Sequence, residues 1–558
     1  MSCGAGRKVL VAALIVGLFL VVAGFIMGYV VFPTGIRLHI MQSVQLSRGS
    51  DALQRYIKTP VPVQVKVYLF NVTNPSEVHH GHAPPFLRQV GPYVYDVYKD
   101  KVEMEEDFES DTLSYFLRNK YYFNRRRSIG DEDDPVTVLN APLMGLIEKT
   151  ASKSSTMLSF LNTVLAELFL SPDEMTRPAS HQLSPFLDTT VGGLLFHGVP
   201  IKCSRSGFLR GFVKSLVCAA IGSESSPSMR KSEGDDGFDE GDYLFSFLYQ
   251  KNNTRYGPIR VRRGLSDIGA MGQVVSWQDQ AMLSVWGPPY PEKSHCNEVS
   301  GTDASVIPPF LSDKSIIKVF QPEMCRSLSA SFEERVEYQG IPALKFVADP
   351  NLFDTPSRNP DNWCYYPTGD DKWRDSYWAG IDYGVQDISS CVGGPLVVSY
   401  PHFYSASSKY LEYAKGLNPK KEKHETYLEI ESITATPLKA AKRLQFNIPL
   451  KRNSRISALR NVSEGLFPVM WIEEAMNLEP KYTNLIKESL FDVIHLLGII
   501  QWGIVALGVM VIIVALIVSR GSWGGGRSGN AEDKKMKEAN QLPTIELTAD
   551  DGSNCRYG

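Results

Sequence analysis

Two long apolar runs dominate the hydrophobic pattern of the chain. Val9–Phe32 (VLVAALIVGLFLVVAGFIMGYVVF) is 24 residues long and carries no charge. At about 1.5 Å per residue, a helix of that length crosses a hydrocarbon core roughly 30 Å thick. Leu496–Val518 holds 23 residues, with Gln501 its single strongly polar member. A helix satisfies its own backbone in lipid, so both runs are predicted to be transmembrane helices. A cleaved signal peptide is the plain alternative for the first run, but its apolar stretch is about twice the usual length and no A-x-A-like site follows. A buried core helix is the alternative for the second, and such helices rarely stay apolar on every face for so long. The chain therefore divides into a tail (1–8), a span (9–32), a large middle segment (33–495), a second span (496–518) and a second tail (519–558).

Within the middle segment the two-residue period prevails. Val63–Val72, Tyr93–Val102, Ser114–Phe123, Tyr243–Tyr249, Leu396–Tyr400 and Glu425–Ile430 alternate or are rich in β-formers, each bounded by Gly, Pro, Asn or Asp. Two stretches change period. In Met157–Phe169 apolar residues fall at 157, 158, 161, 164, 165 and 168, a helical stripe. Ser184-Pro185 reads as an N-cap with proline at N1, opening a second helical stripe through Phe186, Leu187, Val191, Leu194 and Leu195. The prediction is an α+β segment: a mostly antiparallel β body carrying a helical cluster. Helix–helix packing is the plain reading of both stripes; an exposed apolar cluster that meets a ligand or partner is the other. No linker-like stretch divides the segment, so it is read as one unit.

Charge adds orientation. Arg7 and Lys8 precede the first span; Arg520, Arg527, Lys534, Lys535 and Lys537 follow the second. The positive-inside bias makes both tails cytoplasmic and the middle segment external. Sequons at Asn71, Asn252 and Asn461 all fall in that segment, as candidate glycosylation sites. So do Cys203, Cys218, Cys296, Cys325, Cys364 and Cys391. An even count on the oxidising side reads as a disulfide set, though six cysteines allow 15 pairings. Cys3, beside the membrane on the reducing side, is a candidate for acylation. A net charge of −3, with no basic patch interleaved with aromatics, gives no sign of nucleic-acid binding.

Catalytic and metal chemistry find little support. His424-Glu425 opens an HExxH-like string, but Leu428 stands where the second zinc ligand belongs. His79, His80 and His82 lie in a Pro-rich loop without a cysteine or carboxylate partner, so a surface loop is the better reading. Glu233–Asp242 lacks the spacing of an EF-hand, and Arg125–Arg127 followed by Asp131–Asp134 reads as a charged turn. No catalytic residue, metal or cofactor is predicted, and no ligand-binding residue can be named.

Several motifs resemble one family. Asn71–Glu77 (NVTNPSE), Gln89–Tyr95 (QVGPYVY), Cys296-Asn297, Gly301–Ala304 (GTDA) and Pro308–Phe310 are followed, in order, by Met324–Ser327 (MCRS), Asn359–Cys364 (NPDNWC), Tyr400–Phe403 (YPHF), Gly416–Pro419 (GLNP) and Lys442–Asn447 (KRLQFN). This set resembles the class B scavenger receptors, the fatty-acid-translocase family. The cysteine pair in Ile201–Cys218 and the run at Cys391–Leu396 are most similar to insect sensory neuron membrane proteins.

The resemblance implies an antiparallel β-barrel-like body topped by a helical apex and pierced by an apolar tunnel. It implies a non-catalytic cell-surface receptor that passes fatty acids, sterols, lipoprotein lipids, pheromones or odorants to the membrane, with a lipoprotein or an odorant receptor as protein partner. A structural, adhesive or protein-cargo receptor on the same fold is the alternative. The cytoplasmic tail favours the plasma membrane over the lysosome, because Glu538 is followed by Leu542-Pro543 rather than an acidic dileucine signal. By resemblance Cys296 pairs with Cys364 and Cys325 with Cys391. Cys203 and Cys218 are then left to bond to each other, or to remain as two buried thiols. Many relatives carry a further bridge from a cysteine two residues after Cys364; here that position is Tyr366, and the partner cysteine is missing too. Three departures stand out: this lost bridge, an acidic Leu170–Thr176 (LSPDEMT) where some relatives have a lysine-rich apex, and Glu431–Ala435 (ESITA) where EPxTG is usual.

Overall fold

The computed structural model describes residues 3–524 apart from 60, 172–174, 176–182, 205–210, 223–227, 235–236, 288–293 and 367–380, so the acidic 170–176 stretch lies largely outside the described residues. The two apolar helices form one compact unit and Ile40–Thr483 the other. The apolar runs sit inside longer helices, Arg7–Val44 and Pro480–Arg520. The first widens into a π turn at Met27–Val31, just ahead of Phe32-Pro33, where the helix must accommodate a residue without an N–H. The two helices pack closely enough to require glycine: a Cβ on Gly17 would lie 2.9 Å from Gly508 O, and one on Gly508 2.8 Å from Gly17 O. The Gln501 amide lies against Gly28, so the one strongly polar residue of its run meets the partner helix.

The second unit is built on eighteen strands among the described residues. The first nine are β1 (Val63–Val72), β2 (Leu87–Asp107), β3 (Thr112–Phe123), β4 (Pro135–Leu139), β5 (Phe186–Thr190), β6 (Val199–Ile201), β7 (Met229–Lys231), β8 (Tyr243–Phe245) and β9 (Arg255–Arg262). The rest are β10 (Val274–Trp277), β11 (Ile316–Gln321), β12 (Arg326–Tyr338), β13 (Ile341–Ala348), β14 (Val385–Asp387), β15 (Val397–Ser399), β16 (Tyr427–Ile430), β17 (Pro437–Leu450) and β18 (Gly465–Asn477). The main sheet is antiparallel and runs β10-β9-β3-β2-β1-β18-β17-β16-β13-β12-β11, with β14 and β15 joined at β17. Its two ends meet through Gly301 and Thr302. Val274 N donates to Gly301 O at 2.8 Å, and Phe320 N donates to Thr302 O at 2.9 Å. The sheet is therefore a nearly closed barrel, which removes the exposed edges that otherwise invite aggregation.

β1 coincides with the predicted Val63–Val72, and the other predicted strands lie within or over β2, β3, β8, β15 and β16. The segment read as Tyr243–Tyr249 is strand only to Phe245, because Phe247 N and Leu248 N bond to the carbonyls of Leu194 and Leu195 instead of a ladder. The Met157–Phe169 stripe is a helix, Ser155–Phe169, capped by Ser154. Leu158, Leu161, Val164, Leu165 and Leu168 are buried in the core it shares with the helix Ala141–Lys153, whereas Met157 and Phe160 are exposed.

The second stripe is a correction. Ser184 Oγ does accept from Phe186 N, at 3.1 Å, but Phe186–Thr190 is strand β5, paired with β4 from Phe186↔Leu139 to Thr190↔Pro135. Helical turns begin only at Val191. Thr189 and Thr190 are β-branched, and an available partner strand outweighs the weak helical period.

Three disulfides link Cys203–Cys218, Cys296–Cys364 and Cys325–Cys391. The last two span 68 and 66 residues and interleave, and Cys325–Cys391 ties the β11–β12 connection to the segment between β14 and β15. We expect the double change Cys325→Ala/Cys391→Ala to cost roughly 4 kcal/mol on the chain-entropy model. Thermal unfolding of the full-length protein in detergent reads this as a lowered Tm; an unchanged Tm contradicts it.

Candidate functional site

Alternation along the barrel strands gives two faces with different chemistry. The inward face carries Tyr95, Val97, Lys99 and Lys101 on β2, Tyr121 and Phe123 on β3, Lys442, Leu444 and Phe446 on β17, and Met470, Ile472 and Glu474 on β18. Ile472, Phe446, Tyr121 and Phe123 are only half-buried, although they sit inside the sheet.

The charges form a belt. Lys99 Nζ lies 3.2 Å from Glu474 Oε2, and Lys442 Nζ lies 3.3 Å from Glu474 Oε1 and 2.7 Å from Gln321 Oε1. Lys99 and Glu474 are enclosed by protein. All three charged side chains nevertheless keep about a third of their surface free, 31–32%. Burial opposes ionisation of Glu474, but Lys442 and Lys99 outweigh it and hold its carboxyl well below the usual range. The same pairing raises Lys99.

Glu323 lies on the short turn Pro322–Met324 that follows β11. Its side chain is exposed, and its charge helps to raise Tyr121 and Tyr256 above the ordinary tyrosine value. Burial works against its charge, while Lys251 and Lys442 lower its pKa, so it is ionised at neutral pH. Its own backbone N–H supports the carboxylate, and among the described residues no ion pair reaches it.

Farther along β2 a second polar group is sealed. The hydroxyls of Tyr56 and Tyr115 both donate to Asp303 Oδ2 at 2.6 Å. Lys101 Nζ stands 3.8 Å from that oxygen and donates to Tyr56 O at 3.0 Å and Ser305 Oγ at 2.8 Å. Burial brings Lys101 down to about 8.

The outward face holds a different network. Glu473, next to Glu474, receives Lys66 and Arg443, each at 2.6 Å. Trp471 stacks on Tyr68 at 3.8 Å and donates to Gln89 Oε1 at 2.8 Å. His402 Nδ1 accepts from Asn418 N at 3.0 Å, which leaves the proton on Nε2 to donate to the same Gln89 oxygen at 2.6 Å. His424, stacked on His402 at 4.4 Å, accepts from Lys420 N at 2.9 Å. His424, the opening residue of the HExxH-like string, is thus a buried packing residue.

The other singled-out residues are placed as follows. Asn252 and Asn461 are exposed, and Asn71 is half-buried in β1 with Oδ1 accepting from Thr137 N at 2.8 Å. Cys3 begins the first apolar helix. His79 ends the short helix Pro75–His79 with its ring tilted against His80, which stacks on His82 and has Nδ1 2.8 Å from Ser76 O. Asp242, from the acidic run, is buried and accepts from Cys203 N and Ser204 N. In the charged turn Arg125 Nε meets Asp131 at 2.9 Å. His295 lies 3.8 Å from Cys364 Sγ, but that sulfur is bonded to Cys296 and offers no thiolate to a metal. Glu431 shapes its own turn, accepting from Ile433 N at 2.6 Å and Thr434 N at 2.7 Å. Ala435 there takes the left-handed φ of 55° that glycine would fill without cost.

A nearly closed antiparallel barrel, carried on a chain with two long apolar helices, defines a membrane protein with a barrel-like body. The model of the CD36 family matches residues 15–519, and the chain belongs to that family. It is 35% identical over 494 residues to sensory neuron membrane protein 2 of Manduca sexta, covering 87% of this chain and 89% of that one. It is 32% identical over 502 residues to sensory neuron membrane protein 1 of Apis mellifera, covering 89% and 88%.

The histidine pair yields a pH prediction. Burial lowers His402 to about 4, and burial with His402, Arg443, Lys423 and Lys420 nearby lowers His424 to about 3, against an ordinary 6.5. The unfolded chain therefore takes up these protons first. Their contribution is complete above about pH 6.5 and is lost as pH falls toward 4. We expect the Tm of the full-length protein to drop over that window, and the double variant His402→Asn/His424→Asn to flatten the slope. An equal slope in the variant contradicts this account.

Proposed function

We propose that the protein captures a lipid or lipid-like hydrophobic ligand outside the cytoplasm and passes it through the barrel to the bilayer without chemistry. The observation that carries the reading is the half-buried inner face of a sheet whose path runs through eleven strands. About eight strands enclose a space that side chains just fill, and wider barrels leave room. A long chain gains roughly 0.8 kcal/mol per buried methylene, so a sheltered route removes the barrier of crossing water. Met157 and Phe160, with Phe212 and Leu216 on the helix Gly211–Gly222, expose apolar surface suited to receiving such a ligand. The names of the relatives favour a sensory role, with a pheromone or odorant as ligand and an odorant receptor as the acceptor. In this reading both termini are cytoplasmic, the ectodomain is extracellular at the plasma membrane, and Asn71, Asn252 and Asn461 carry glycans.

Two measurements test it. Glycosidase treatment of the protein from insect or mammalian cells lowers its mass, and each Asn→Gln change reduces that shift; no shift at all overturns the orientation. For transfer, cells expressing the Ile472→Trp variant take up a fluorescent long-chain acyl probe several-fold more slowly than wild type at equal surface expression. Undiminished uptake by the variant favours the adhesive or protein-cargo reading, in which the interior plays no part.

A further inference from the structure

The lysines of the belt bear on which ligands the barrel accepts, and the inference rests on the transfer reading above. Their placement follows from the sheet. Three strands, β16, β13 and β12, separate β17 from β11, which is four steps of about 4.8 Å along the sheet. Lys442 on β17 nevertheless lies 2.7 Å from Gln321 at the end of β11. Two side chains bridge such strands only by crossing the concave face. Lys99 on β2 reaches Glu474 on β18 past β1 at 3.2 Å, and Lys442 reaches the same carboxylate at 3.3 Å. These three side chains keep 31–32% of their surface free, so open space lies beside them. An ammonium has three donors and no acceptor. Among the described residues Lys99 Nζ uses one on Glu474, and Lys442 Nζ uses two, on Glu474 and Gln321. Three N–H groups therefore have no protein acceptor, while both oxygens of Glu474 are engaged. Of the other charges that act here, Glu323 is offset by Lys251 and Asp303 by Lys101. Two lysines against one glutamate leave the belt with one positive charge unbalanced.

We infer that Lys99 and Lys442 form a head-group subsite that ranks long-chain ligands by their polar end: carboxylates first, neutral esters next, amines last. A carboxylate accepts from both ammoniums and neutralises the unbalanced charge. An ester carbonyl accepts hydrogen bonds without neutralising it. An ammonium adds a further cation and finds both oxygens of Glu474 engaged, so it loses the hydrogen bonds that water gave it. The apolar residues next along the same strands, Leu444 and Phe446 on β17 and Ile472 and Met470 on β18, hold the chain.

The test uses the full-length protein in lipid nanodiscs, labelled by a photoactivatable methyl palmitate. Unlabelled palmitate, methyl palmitate and hexadecylamine compete at equal mole fractions in the bilayer. Palmitate competes about tenfold better than hexadecylamine, as hydrogen bonds to charged groups warrant, and methyl palmitate falls between them. Lys99→Met brings the three within about twofold of one another, and Lys99→Arg restores the order. Lys442→Met reads the same loss at the second lysine if Lys99→Met lowers the Tm. Glu474→Gln removes the anion of the belt and widens the lead of palmitate over methyl palmitate. The subsite is overturned, with lipid binding intact, if hexadecylamine matches palmitate in the wild type. It is equally overturned if both methionine variants leave the order unchanged or weaken all three competitors alike. If neither photoactivatable methyl palmitate nor photoactivatable palmitate labels the protein, the transfer reading itself fails, and the subsite with it.

Discussion

Closure of the antiparallel sheet is the constraint on which the rest of the molecule depends. Once Gly301 and Thr302 join β10 to β11, every second residue of each strand must point inward. Those inward positions no longer face water freely, and in the transfer reading proposed above a path of eleven strands is long enough to leave space between them. In that reading the interior is lined rather than packed, with the half-buried Phe446, Ile472, Tyr121 and Phe123 as the proposed lining.

Closure also explains the ionic arrangement. Removing charges from water is expensive, and mutual attraction offsets the cost only when partners are close and the remaining polar atoms are satisfied. Glu474 meets that condition with two lysines, and the outward Glu473 meets it with Lys66 and Arg443. Adjacent glutamates thus serve opposite faces, each balanced by one member of the adjacent pair Lys442-Arg443 on the neighbouring strand. The register Lys442↔Glu474 and Arg443↔Glu473 makes this possible. A one-residue slip would exchange the faces of both pairs and leave Leu444 and Ile472 outside.

Much of this architecture is legible in the sequence because it follows from local period. Val63–Val72 alternates and is β1 at the same bounds; Met157–Phe169 has a helical stripe and is a helix. Ser184–Leu195 misled because five residues of helical spacing cannot outweigh a partner strand, and β4 is supplied from fifty residues away. The belt was not legible. Charged pairs such as Lys442-Arg443 and Glu473-Glu474 look like solvated positions, and only closure of the sheet sends one member of each inward. Two adjacent charges in an otherwise apolar strand, with a complementary pair in the strand before it, are the signal that could have found them.

The central claim is that the barrel interior is open enough to hold an acyl chain. An electron cryomicroscopy map of the full-length protein in nanodiscs containing a long-chain alcohol tests it most directly. The account predicts elongated density bordered by Phe446, Ile472 and Tyr121. Side chains meeting across the barrel with no space between them would contradict it.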